Sequence, residues 1–245
     1  MTNNDRSAWF VIGVTAYALS LAALGAIELW RGASLPGLHA LPESAPEWAV
    51  RCMGALMLAT SVTLIAGPFV RWASIAAAAF WSAFFILALI AAAAAQGDAS
   101  GWVSASETAV FAAIALARGG GPRTASLLRT AFGLMLILFG AVHLTHRDLI
   151  ASLIPDWIPF SAYWPWLTGG ANILAGLACV IGRGTRPATY AIAIMFGAWL
   201  ALVHAPRLAA HPASLFEWTF ALTAAALLGG ALQIASRASG SRPLA

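Results

Sequence analysis

The chain has 245 residues, of which 61% are hydrophobic and 9% charged, and a formal net charge of +4. Its apolar residues come in runs too long for the core of a soluble domain this size, which excludes an ordinary globular enzyme and predicts an integral membrane protein. All thirteen basic residues are Arg, spread along the chain, so the basic balance reads as membrane topology and anionic lipid contact, with no basic cluster or motif for nucleic acid.

Apolar runs of roughly 17 to 25 residues predict eight spanning helices, at about 8–30, 48–67, 72–95, 101–118, 126–145, 163–182, 187–205 and 213–235. The first is too long for a signal h-region, and Asp5 and Arg6 make a weak n-region, so it is expected to stay as a helix. It ends at Glu28 and Arg31, whose i, i+3 spacing puts them on one face where they can neutralise each other. The second carries Cys52 and Met57, and the short fourth carries Glu107 about one turn in. "LARGGGPRTASLLR", residues 116–129, reads as a cytoplasmic linker.

The fifth helix ends in "FGAVHLTH" with His143 and His146 at i, i+3. The amphipathic "DLIASLIPDWIPF" that follows is expected to lie in the membrane interface, with Trp157 at headgroup level, and to lid the polar groups. In the sixth helix Asn172 sits among Gly169, Gly170 and Gly176; it is expected to make an interhelical hydrogen bond, with a ligand contact as the sharper alternative. Cys179 should lie most of a bilayer from Cys52, too far for a disulfide. The turn "RGTRPA" reads as a topology anchor whose Arg183 and Arg186 can meet phospholipid phosphates. His204 and Arg207 end the seventh helix, and Glu217, early in the eighth, needs a cationic partner, for which Arg207 or His204 is placed.

With the N-terminus inside, the cytoplasmic segments hold nine of the thirteen Arg and the opposite side holds Arg31, Arg51, Arg147 and Arg207. Both termini are therefore expected in the cytoplasm of a cell-membrane protein. An internal repeat relates the halves: Gly25-Ala26 matches Gly140-Ala141, Glu28 His143, Arg31 His146, Gly54 Gly169, Gly67 Gly182 and Arg71 Arg186, all at an offset of 115. Glu107 and Glu217 match at 110. The expected architecture is all-α, with eight transmembrane helices as two four-helix bundles in parallel repeat. Residues 1–118 form the first unit, 119–128 the linker and 129–245 the second unit.

In the second unit "RTAFGLMLILFGAVHL", "LIPDWIPF", "LTGGANILAGLACVIGRGTRPAT" and "MFGAWLALVHAPRL" follow one another in an order and spacing that resembles the DoxX-like membrane proteins. The first unit looks like a diverged copy. The resemblance implies a four-helix unit with a Pro-containing loop after its first helix, and a role beside a quinone-linked redox enzyme of the membrane. Many DoxX-like proteins carry a Glu in the middle of the second helix, where this chain has Asn172 and, in the first copy, Met57.

The ionisable groups converge in depth at the non-cytoplasmic end, making His143, His204, Glu217, Arg207, Asn172, His146, Glu28 and Glu107 the candidates for a ligand or proton site. His143, His204 and Glu217 are expected to form one cluster. No metal is expected, because two His at i, i+3 without H-E-x-x-H are poorly spaced for chelation. A quinone is the cofactor class the resemblance implies; no haem, nucleotide or hydrolase motif is present. Three functions stay open: an accessory subunit of a membrane redox system, a small-solute transporter or channel, and a ligand-free scaffold or assembly factor. The expected partners are membrane lipids and a membrane redox enzyme.

Overall fold

A computed structural model describes residues 3–38, 45–65, 69–94, 99–119 and 122–238. Gly67 of the repeat and Gly120 and Gly121 of the linker lie outside them. No strand occurs among the described residues. The helices are α1 (Asn3–Arg31), α2 (Glu47–Ile65), α3 (Val70–Ala94), α4 (Ala99–Gly119), α5 (Pro122–Thr145), α6 (Arg147–Ser152), α7 (Trp164–Ile181), α8 (Thr185–Trp199), α9 (Ala205–Ala210) and α10 (Leu215–Arg237).

Seven helical stretches among the described residues are long and apolar enough to cross a membrane: Ala8–Arg31, Glu47–Ile65, Val70–Ala94, Arg123–Thr145, Ser161–Ile181, Thr185–Ala210 and Leu215–Arg237. This is the character of a multi-pass membrane protein. The expected span at 101–118 does form α4, but α4 is not one of the seven. Ser104, Ser106, Glu107 and Thr108 lower its hydropathy, and all four are buried together with Val110, Phe111 and Ile114. Protein, rather than lipid, covers this helix.

Side-by-side packing runs from α2 to α1, α10, α8, α7, α5, α4, α3 and back to α2, with α4 also meeting α10. The halves therefore do not stand as separate bundles: α4 leans on α5, and α10 leans on α1. Backbones touch where glycines face each other. A Cβ on Gly25 would sit 2.6 Å from the Gly54 carbonyl oxygen, and one on Gly140 would sit 2.5 Å from that of Gly169. No other residue fits so close a crossing. Between the helices lies an aromatic core of Tyr17, Trp81 and Phe111, with the Tyr17 hydroxyl donating to the Phe111 carbonyl at 2.8 Å.

Local sequence sets the helix ends near the site. Pro165 opens α7, where its missing N–H costs nothing, and Gly182 closes it at φ 78°. Ser214 caps α10 by accepting the Glu217 N–H at 3.3 Å, and Glu217 three residues on completes the S-x-x-E pattern. After α8 the chain widens into a π-helical turn, Leu200–His204, before α9. Pro206 is the physical reason: it lacks an N–H, its ring crowds the preceding turn, and one extra residue in that turn relieves the clash.

Candidate functional site: an aromatic cavity with buried polar groups

A cavity of ≈ 520 Å³ opens between α4, α5, α6, α7, α8 and α10. Glu107, His143, His146, Asn172 and His204 all line it. The wall is otherwise largely apolar, built from Phe139, Trp164, Phe196, Trp199, Phe216 and Phe220 with Leu, Ile, Val and Met between them. Trp164 meets Trp199 edge to face at 5.3 Å between centroids, and the Trp164 indole N–H donates to the Pro159 carbonyl at 3.0 Å, fixing that ring. Leu149, Ile150, Leu153 and Ile154 bring the segment after α5 over the cavity; Trp157 is exposed, and Ile154 and Ile158 pack with Val203, Trp164 and Trp199.

Asn172 is fully buried, and neither its Nδ2 nor its Oδ1 has a hydrogen-bond partner. The expected interhelical bond is therefore not made. The close approach of α7 to α5 falls at Gly169 and Gly176, and the amide, about 12 Å along the helix from Trp164 by rise alone, lies on the cavity wall instead. Thr223 Oγ1 is likewise buried, unpartnered and on that wall. A buried amide with neither donor nor acceptor satisfied costs about 1–3 kcal/mol, so it marks a place where a polar group of another molecule fits.

Geometry fixes the chemistry of His143. Its Nδ1 lies 2.8 Å from the Phe139 carbonyl, which can only accept, so Nδ1 carries a hydrogen, and the ring lines the cavity. Phe139 also meets the imidazole edge to face at 4.6 Å. His146 is spent differently, with its Nδ1 at 2.9 Å from Thr145 Oγ1. The π turn carries His204 to the cavity, and Glu107 reaches it from α4, in the other half of the chain.

Arg207 and Glu217 pair as expected, but outside the cavity wall. Arg207 donates to both carboxylate oxygens, Nη2 to Oε1 at 2.7 Å and Nε to Oε2 at 3.0 Å, and its Nη1 donates to the Leu153 carbonyl at 3.0 Å. This fork ties α9 to α10 and to the segment over the cavity. The cluster expected from His143, His204 and Glu217 thus divides: the two imidazoles share the cavity, while Glu217 serves the clamp. The expected Glu28–Arg31 pair is also replaced. Glu28 is buried, with Oε1 accepting the Leu35 N–H at 3.2 Å, whereas exposed Arg31 donates to the Ala213 carbonyl at 3.4 Å.

Thr223 and the aromatic wall are what sequence reasoning missed. Of the Trp residues the sequence places only Trp157, at headgroup level, and only Pro206, two residues after His204, signals the irregular turn. Among the described residues no group of three His, Cys, Asp or Glu is placed to hold a metal ion, and Cys52 and Cys179 are both free thiols. The fold and the cavity define a class, an all-helical multi-pass protein with a lipophilic internal site. No family model, curated protein or solved structure matches the chain.

Proposed function

We propose that the protein is a membrane-embedded accessory subunit of a quinone-linked redox system and that its cavity takes the head group of a quinone. The observation that carries this is the unsatisfied Asn172 amide inside an aromatic-walled cavity. A ring carbonyl accepts from Asn172 Nδ2, the aromatic wall packs the ring faces, and Glu107 and His143 Nε2 stand ready to exchange the protons that quinone reduction consumes. A cavity of ≈ 520 Å³ falls among small-molecule sites of roughly 300–1,000 Å³. Transport of a polar solute is less well supported, because Leu128, Phe132, Leu136 and Ile192 on the same helices belong to the buried hydrophobic core.

The same proposal takes α4 as an eighth span and the chain as a DoxX-like tandem duplication with both termini cytoplasmic. Three observations support it: the Gly25–Gly54 and Gly140–Gly169 crossings are separated by the same 115 residues, a helix shielded by protein need not be apolar all round, and the Arg residues are unequally divided.

The test is tryptophan fluorescence of the purified protein in detergent, titrated with a short-tailed benzoquinone and a short-tailed naphthoquinone. Trp164 and Trp199 lie in the wall, so a bound quinone quenches them saturably. Asn172→Leu is expected to weaken binding about 10- to 100-fold, the loss of one buried hydrogen bond with its desolvation. Quenching that never saturates in the wild type, or affinity unchanged by Asn172→Leu, refutes the proposal.

A further inference from the structure

The polar groups of the aromatic cavity stand at two depths. Glycine contacts set the register of α5 against α7: a Cβ on Gly133 would meet the Gly176 carbonyl oxygen at 2.7 Å, and one on Gly140 would meet that of Gly169 at 2.5 Å. The two contacts are the same number of residues apart on each helix, so α5 and α7 run antiparallel in step. His143, one turn beyond Gly140, is then level with Trp166, and Asn172 lies nearly two turns further along α7, about 9 Å deeper by rise. Thr223 is deep by a separate route. Arg207 ties Glu217 to the Leu153 carbonyl, in the segment over the cavity, and Thr223 lies nearly two turns beyond Glu217 in α10, again about 9 Å by rise. His204 stays at the outer level, because its neighbour Val203 packs with Ile154 and Ile158 of the overlying segment.

The inner level is unsatisfied and the middle is aromatic. Asn172 Nδ2 and Oδ1 and Thr223 Oγ1 are buried and have no hydrogen-bond partner among the described residues. Phe139, one turn inward of His143, and Phe220, one turn before Thr223, line the wall between the two levels. A flat ring packs against such side chains. Oxygens on a single edge of that ring reach one level and leave the other without a partner, whereas oxygens on opposite edges reach both. An amide and an imidazole each offer a donor and an acceptor, so either end takes a carbonyl or a hydroxyl, and a quinone and its hydroquinone fit alike.

We infer that the cavity selects a flat ring system with one oxygen at each end, a para-quinone rather than an ortho-quinone, whose inner oxygen meets Asn172 and Thr223 and whose outer oxygen meets His143 and His204. The identity of the ring rests on the quinone reading; the need for two ends follows from the two levels of polar groups.

Calorimetric titration of the full-length protein in detergent tests it, in a background with Cys52→Ser and Cys179→Ala so that the free thiols do not add to the quinones. The probes are para-naphthoquinone against ortho-naphthoquinone, and a naphthalenediol with hydroxyls at opposite ends against a naphthol with a single hydroxyl. The two-ended member of each pair is expected to bind about 3- to 10-fold more tightly, the worth of one hydrogen bond. Asn172→Leu should bring both ratios to about one, and so should His143→Leu combined with His204→Leu. A preference within the naphthol pair without saturable quinone binding supports the two-ended site and refutes the quinone reading. Saturable quinone binding that Asn172→Leu weakens, with no preference in either pair, overturns the inference and leaves the quinone reading standing. A preference that persists in folded Asn172→Leu also overturns it, and binding of no probe overturns both. The comparison within each pair needs no cavity variant, so it decides even where a variant does not fold.

Discussion

Asn172 and the Arg207–Glu217 pair are both buried polar features, and they make opposite predictions. Asn172 forms no bond within the chain, so Asn172→Leu should raise the unfolding free energy of the ligand-free protein by about 1–3 kcal/mol even as it weakens the proposed quinone binding; a melting scan in detergent measures this. Arg207→Met breaks a fork that holds the Leu153 segment and strands a carboxylate only 7% exposed. Because the Arg207 side chain is 27% exposed, the cost is reduced to about 1–3 kcal/mol rather than that of a fully buried pair. Adding Glu217→Leu should recover most of it in the same scan. This pair could be read from the sequence, since a carboxylate near a helix start inside a membrane protein needs a cation and Arg207 lies ten residues before it. Asn172 could not, because Gly neighbours point equally to a hydrogen-bonded crossing and to a cavity edge.

At the scale of the helices, the glycines divide into two sorts that look alike in the sequence. Gly140 meets the Gly169 backbone at a distance no Cβ permits, while Gly197 in α8 has nothing within 4 Å of its missing Cβ. Gly140→Ala should therefore destabilise by about 1–3 kcal/mol, and Gly197→Ala should stabilise by about 0.5–1 kcal/mol, both read from thermal unfolding. The π turn follows the same logic. Pro206→Ala returns an N–H to the helix and lets residues 200–204 tighten, so amide hydrogen exchange there should slow while His204 turns away from the cavity and quinone affinity falls. Periodicity and apolar run length made the long helices legible. The turn was not, because a single extra residue changes no hydrophobic pattern, and α4 was placed correctly as a helix although Glu107 and its Ser and Thr neighbours disguise how thoroughly protein encloses it.

For the whole molecule, orientation is the property that the unequal Arg residues predict. In a background with Cys52→Ser and Cys179→Ala, a single cysteine at Ala162 should react with a membrane-impermeant maleimide in intact cells, and one at Ser126 only after lysis. The reverse pattern would move the aromatic cavity to the cytoplasmic face. The order of helices around the assembly was hidden from the sequence. The 115-residue offset relates the halves but does not say whose fourth helix each first helix prefers, since that is decided by glycine-to-glycine fit such as Gly13 against Gly229, where a Cβ would meet the opposing carbonyl at 2.6 Å.

That pairing has a bearing on how the protein is made. Among the described helices α10 is far from α1 in the chain yet must settle along it, and until it does, Tyr17, Leu21 and Leu24 lack part of the wall that buries them. The burial of α1 thus waits for a helix from the other half of the chain. A gene divided at residue 120 should give two fragments that are each short-lived alone and that rescue each other when co-expressed, and only the reunited pair rebuilds the cavity, because Glu107 arrives with one fragment and His143 with the other.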